Sequence, residues 1–271
     1  MEVHFIDVGC GNMVLILLPE GSIFMYDCNI TNDNKQRVLS YVKKIIGNKG
    51  INVFINSHRD ADHMRGIKDL HAANTIESIW DSGVPGTTTN TSEYNDYMDL
   101  RRSVSSKKIK ALDFDIFGDV VFVYMNSECE DYTDPNEQSV VLKIEFRGSS
   151  VMLGGDTNYR PWKEKILNYY SDKDLQTSIF LAPHHGSIDF FDDPGDSQHY
   201  YMSHIQKIKP AMTLISVGPN IHRLPDSKAL ELYEKYSTGS NQGNKVFSTE
   251  DKGTMKLILK DGGGWSLSVN Q

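Results

Sequence analysis

The chain has 271 residues, 39% of them hydrophobic, and a formal net charge of -8. This suffices for one large core, so a single domain over residues 1–271 is expected, while the acidic balance argues against a broad electropositive surface for duplex nucleic acid. No apolar run reaches the length of a membrane span and the opening Met1-Glu2-Val3-His4 lacks the basic region of a signal peptide, which points to the cytoplasm and away from the membrane.

Residues 2–8, 13–18 and 22–27 are apolar-rich runs separated by the turn signals Gly9-Cys10-Gly11-Asn12 and Pro19-Glu20-Gly21, predicting a meander of strands. Asp7 and Asp27 end two of these runs and read as hydrogen-bonding supports. The three cysteines, Cys10, Cys28 and Cys129, lack metal-type spacing and fit reduced thiols better than a disulfide framework. Apolar spacing from Asp33 to Ile46 predicts a helix, Asn52 to Asn56 a buried strand, and His63 to His71 a further helix. After a strand over Ile76 to Trp80, the polar stretch from Gly83 to Lys110 contains a helix over Glu93 to Ser103 and could arch over a site as a lid. Tyr94 and Tyr97 have the spacing of packed aromatics, with base stacking as the alternative. Arg101, Arg102, Lys107, Lys108 and Lys110 form a basic strip, either a guide for a polyanion or a solvated helix end. A second sheet is predicted from Asp119 to Met125, Ser139 to Arg147 and Ser149 to Leu153. Helices over Pro161 to Tyr170, Ser197 to Ile208 and Asp226 to Tyr236 then alternate with strands over Thr177 to Leu181 and Ala211 to Val217. Residues 245–248, 254–260 and 264–269 read as closing strands.

The chemistry concentrates where His58, Asp60, Asp62 and His63 follow the strand ending at Asn56. A strand-to-helix turn can aim all four at one volume, and a mixed imidazole and carboxylate set suits Zn, Mn or Fe better than Mg or Ca. Asp156 follows a strand through Gly154-Gly155, which lets the backbone approach closely. Pro183 breaks another strand and presents His184 and His185.

The spacing His58-x-Asp60-x-Asp62-His63 resembles the His-x-His-x-Asp-His motif of the metallo-β-lactamase fold, in the variant whose second His is Asp. That variant is similar to the hydrolase domain of the DNA-internalisation competence protein ComEC and its stand-alone relatives. Phe5-Ile6-Asp7-Val8-Gly9, Leu153-Gly154-Gly155-Asp156 and Ala182-Pro183-His184-His185-Gly186-Ser187 follow in that family's order. The resemblance implies an α/β fold, the four-layer αββα sandwich, and two divalent metal ions, Zn or Mn. By resemblance one ion takes His58, Asp60 and Asp156, and the other Asp62, His63, Asp156 and His184, with Asp156 bridging. Asp62, His185 and His222 are the catalytic candidates, the two histidines for charge stabilisation or proton transfer. The implied function is a dinuclear phosphodiesterase or nuclease acting on nucleic acid or nucleotides. Hydrolysis of a lactam or thioester, and a non-catalytic metal-binding subunit, are the alternatives. Three departures stand out. The family's Gly-Gln-Gly-Asp-Ser is Gly9-Cys10-Gly11-Asn12-Met13, its later His-Pro is Leu224-Pro225, and the third-motif His of the broader fold is missing, leaving Asn136, water or substrate to fill its place.

Overall fold

In β3 (Ile23–Tyr26), Phe24 and Tyr26 turn to one side and Ile23 and Met25 to the other, the two-residue period of a strand. Both sides are apolar, so the strand must be covered twice. The same holds for β5 (Val53–Asn56), with Val53 and Ile55 facing one layer and Phe54 the other. The computed structural model, which describes residues 1–195, 200–239 and 245–269, meets this demand with two stacked sheets, each backed by helices.

The first sheet has the order β16-β15-β1-β2-β3-β5-β6-β7, where β1 is Glu2–Phe5, β2 Val14–Leu17, β6 Ser78–Asp81, β7 Ser105–Lys108, β15 Met255–Leu259 and β16 Trp265–Val269. The second runs β14-β13-β12-β11-β10-β9-β8, built from β8 (Phe114–Phe117), β9 (Val120–Asn126), β10 (Val141–Phe146), β11 (Ser149–Leu153), β12 (Ile179–Leu181), β13 (Met212–Ile215) and β14 (Val246–Ser248). Between them lies the main core, where Phe5, Phe24 and Ile55 of the first sheet meet Phe122, Leu142 and Leu181 of the second. Each such side chain contributes about 1.5–3 kcal/mol on burial. A second apolar layer joins the outer face of the first sheet to α1 (Lys35–Ile46), α3 (Ile67–Ala73) and α4 (Ser92–Ser103). A third covers the second sheet with Trp162, Ile205, Leu232 and Tyr233, the last two from the helix Ser227–Tyr236. These layers make the αββα sandwich.

Several elements differ from the sequence expectation. The helix expected over His63 to His71 is two, α2 (Ala61–Met64) and α3, because the chain turns at Gly66 with φ 75°. A Cβ on Gly66 would stand 2.5 Å from that of Ile30, so only glycine fits the approach. The helix expected from Pro161 is interrupted by a π-helical stretch, Trp162–Ile166. Residues 197–199 of the helix expected from Ser197 lie outside the described residues, and its described part is Ser203–Ile208. β7 comes from the polar stretch that holds the basic strip, while β8 and the short helix Thr249–Lys252 lie between the elements expected from the sequence. Among the described residues no helix is long and apolar enough to cross a membrane.

Candidate metal centre

β5, β11 and β12 end on the same side of the sandwich, and the loops after them carry the donors. Ser57 to Asp60 leave β5, Asp62 and His63 lie in α2, Asp156 follows β11, and His184 and His185 follow β12. One hydrogen bond ties the first of these loops to the other sheet, Val140 N–H donating to the Ser57 carbonyl at 2.8 Å, and a second, Asp156 N–H to Ser139 Oγ at 3.2 Å, fixes the loop after β11. A Cβ at Gly155, φ 57°, would lie 2.7 Å from that of Ser139, so glycine is required for Asp156 to come this close.

Asp156 is the hub. Its Oδ2 lies 3.8 Å from His58 Nε2, 3.2 Å from His63 Nε2, 3.9 Å from His184 Nε2 and 3.7 Å from His185 Nε2. Asp62 Oδ2 lies 3.3 Å from His185 Nε2 and 3.9 Å from His63 Nε2, and Asp60 Oδ2 is 3.8 Å from His58 Nε2. One ligand atom from each of Asp62, His63, Asp156 and His185 falls within 4.8 Å of the others.

The outer nitrogens are held by protein partners, which fixes where the inner ones point. His63 Nδ1 sits 2.8 Å from Asp27 Oδ2, and His185 Nδ1 2.9 Å from the Ser216 carbonyl. Ser57 Oγ donates to Asp27 Oδ2 at 2.7 Å and lies 3.0 Å from His58 Nδ1, so one buried carboxylate supports two imidazoles. With Nδ1 engaged, each Nε2 faces the cavity. His58 Nε2, His63 Nε2, His185 Nε2 and Asp156 Oδ1 are all buried without a hydrogen-bond partner. Leaving such a group unpaired costs about 1–3 kcal/mol, and four aimed at one volume fit a divalent metal. The electrostatics agree. Burial alone would make Asp62 and Asp156 harder to ionise, yet the surrounding imidazoles, His63 foremost, hold both carboxyls below the usual range. Burial likewise disfavours a charged His63, but Asp156, Asp27 and Asp62 outweigh it and draw positive charge to that point.

The remaining candidates are placed less centrally. Sequence reasoning put His184 among the ligands and His185 in proton transfer, whereas the structure groups His185 with Asp62, His63 and Asp156. His184 is 28% exposed, with Nδ1 3.7 Å from Asp189. Both histidines have positive φ, 49° and 53°, a strained pair that turns consecutive imidazoles toward the same centre. His222 is exposed on the loop before Pro225 and is not brought into the four-residue group, and Leu224 packs instead against the third apolar layer. Met13 is buried among the helices behind the first sheet, so its side chain belongs to the core. Asn12 N–H donates to the Asp62 carbonyl at 3.3 Å, while burial and the nearby acids Asp62 and Asp156 push the Cys10 thiol up to about 11. All three cysteines are free.

Four of the five residues of the basic strip, all but the exposed Lys110, are paired with acids. Arg101 and Arg59 bind Asp81, Arg102 binds Asp99, Lys107 binds Asp115, and Lys108 binds Glu128. Tyr97 is buried with its hydroxyl on Asp81 at 2.6 Å, so it packs and does not present a base-stacking surface.

Histidines and carboxylates gathered at the strand ends of a two-sheet sandwich define the metallo-β-lactamase fold, and the chain has that fold. The metallo-β-lactamase fold protein YhfI of Bacillus subtilis superposes with TM-score 0.53 at 11% identity, covering 94% of this chain and 99% of that one. A diphosphatase of the PhnP family gives 0.52 at 12%, covering 94% and 97%. The diiron β-hydroxylase CmlA of Streptomyces venezuelae gives 0.57 at 12%, covering 95% and 54%. In sequence the chain is similar to ComE operon protein 3 of Bacillus subtilis (strain 168), 23% identical over 279 residues that cover 96% of this chain. The chain spans about a third of that relative's length, 33%. No family model matches. Taken together, these likenesses show the fold, and the donor cluster lies at its strand ends as a candidate metal site.

Proposed function

We propose that the protein is a dinuclear phosphodiesterase that binds two divalent cations, Zn or Mn, and acts on a nucleotide or a short strand of nucleic acid in the cytoplasm. The observation that carries this reading is Asp156 Oδ2 standing within 3.9 Å of four imidazole nitrogens. His58, Asp60 and Asp156, with His184 at the margin, would hold one cation, and Asp62, His63, Asp156 and His185 the other. Such a pair supplies Lewis acidity toward a phosphoryl oxygen and makes a nucleophilic water available at neutral pH.

The chain's own groups prepare that chemistry. Asp27 and Ser57 engage Nδ1 of His63 and His58, so their Nε2 atoms face the site without rearrangement. The Ser216 carbonyl does the same for His185. A donor set that mixes three carboxylates with its imidazoles favours harder ions and phosphate substrates more than a purely histidine-lined zinc site does, and the likeness to a diphosphatase points the same way. The paired-off basic strip favours a small or single-stranded substrate over a long duplex.

The test is to load the protein with Mn or Zn and assay a phosphodiester reporter, cyclic nucleotides, single-stranded DNA and RNA. Turnover of at least one above the Asp156→Ala background is expected. Absence of all turnover, with metal bound, removes the phosphodiesterase reading. Turnover of a lactam or thioester alone would replace it.

A further inference from the structure

The segment between β6 and α4 carries one contact that the motif residues do not explain. It is tied at both ends by local hydrogen bonds: Gly83 N–H to Asp81 Oδ1 at 3.0 Å, Val84 N–H to Ser82 Oγ at 3.2 Å, and Tyr94 N–H to Thr91 Oγ1 at 3.2 Å. In its middle it lies directly on the donor loop. A Cβ on Gly86 would stand 1.9 Å from the Arg59 carbonyl oxygen and 2.9 Å from Asp60 Oδ1, so the backbone is in contact and only glycine fits. The next residue then grips Asp60 twice, with Thr87 N–H donating to Oδ1 at 2.7 Å and the Thr87 hydroxyl to Oδ2 at 2.8 Å.

Thr87 is itself exposed, so core packing does not account for its place. What it does is fix a carboxylate. Asp60 departs from β5 on a loop, and a free carboxylate there would rotate about two side-chain torsions. Two donors from one residue hold both oxygens and leave one lone pair on each. The oxygen that takes the hydroxyl, Oδ2, is also the one 3.8 Å from His58 Nε2. We infer that Thr87 is a positioning residue for the first cation, holding Asp60 in the orientation in which it can share that cation with His58 and Asp156, with Gly86 providing the close approach. This rests on the proposed dinuclear reading and adds to it a residue from outside the ligand motifs.

The test is titration of metal-free protein with Mn(II) alone, following free Mn(II) by its spin-resonance signal, for wild type, Thr87→Val, Thr87→Ser and Gly86→Ala. Loss of an outer hydrogen bond to a ligand typically costs about 10–100-fold in metal affinity. Thr87 keeps its backbone donor in the Val variant, so about a tenfold weakening at one of two sites is expected, the other site unchanged. Thr87→Ser should restore wild-type binding, which a merely structural role for the side chain would not require. Gly86→Ala should weaken the same site more, since it forces the segment away from Asp60. A Thr87→Val titration indistinguishable from wild type overturns this inference and leaves the dinuclear reading standing. Wild type that binds no Mn(II) overturns both. Two Mn(II) bound with the expected Thr87 effect, but no phosphodiester turnover, overturns the functional reading alone.

Discussion

Two buried carboxylates, Asp81 at the end of β6 and Asp156 after β11, have opposite surroundings. Asp81 is fully buried and saturated: its oxygens accept from Arg59 Nε and Nη2, Arg101 Nε and Nη2, the Tyr97 hydroxyl and Gly83 N–H. Asp156 is 4% exposed and faces imidazoles, with Oδ1 taking no hydrogen bond at all. Burial opposes ionisation in both, and nearby cationic groups reverse it in both, the guanidiniums at Asp81 and the imidazoles at Asp156. Charge state therefore does not separate a structural acid from a working one. What differs between them is hydrogen bonding: donors close on both oxygens of Asp81, whereas Oδ1 of Asp156 stays open beside three buried, unpartnered imidazole nitrogens.

The sharpest way to break this contrast is to remove each acid. Asp156→Ala is expected to abolish binding of one or both cations and to lower phosphodiester turnover by several orders of magnitude, read by elemental analysis and kcat/KM. Asp81→Ala should act on stability instead, by about 3–5 kcal/mol, since it leaves two guanidiniums uncompensated against a buried site. Denaturant unfolding measures that loss, and the contrast fails if Asp81→Ala spares stability or Asp156→Ala spares metal. Asp27→Asn is intermediate: with the shared support of His58 and His63 weakened, metal affinity should drop about 10–100-fold while the fold persists. Calorimetric metal titration checks it. The smallest effect lies away from the site. Burial holds His204, stacked on Phe190 with its Nε2 2.6 Å from that residue's carbonyl, down to about 3. The unfolded chain's imidazole takes up its proton near pH 6.5, so this group's share of stability is intact above that pH and is lost as pH falls toward about 3. His204→Gln should remove that part of the acid slope in stability measured between those limits, and an unchanged slope would count against it.

Much of this was legible in the residues themselves. Short apolar runs placed most strands because a strand covered on both faces must be apolar throughout, as in β3 and β12. The donor candidates stand out in the sequence because each group follows such a run. β7 was not, since Ser105-Ser106-Lys107-Lys108 is polar at every position and owes its conformation to pairing with β6. Adjacent His184 and His185 look equivalent in sequence and share left-handed backbone angles, and they differ in that His185 is buried with Nδ1 on the Ser216 carbonyl while His184 is partly exposed beside Asp189. Thr87 gave no signal, being one of several threonines in a polar stretch, and its partner lies 27 residues away.

The donors also come from different sheets, with His58 to His63 following the first and Asp156 and His185 following the second. Their separation is therefore a dimension of the apolar sandwich, gauged by contacts such as the Tyr26 hydroxyl on the Val140 carbonyl at 2.8 Å. The liners of the site do not choose the cation's radius alone. Trimming or enlarging a side chain such as Leu142 or Ile55, well away from any ligand, would shift one slab against the other and retune which ion is accommodated. Any redesign toward a larger or smaller metal has to begin in the grease between the sheets.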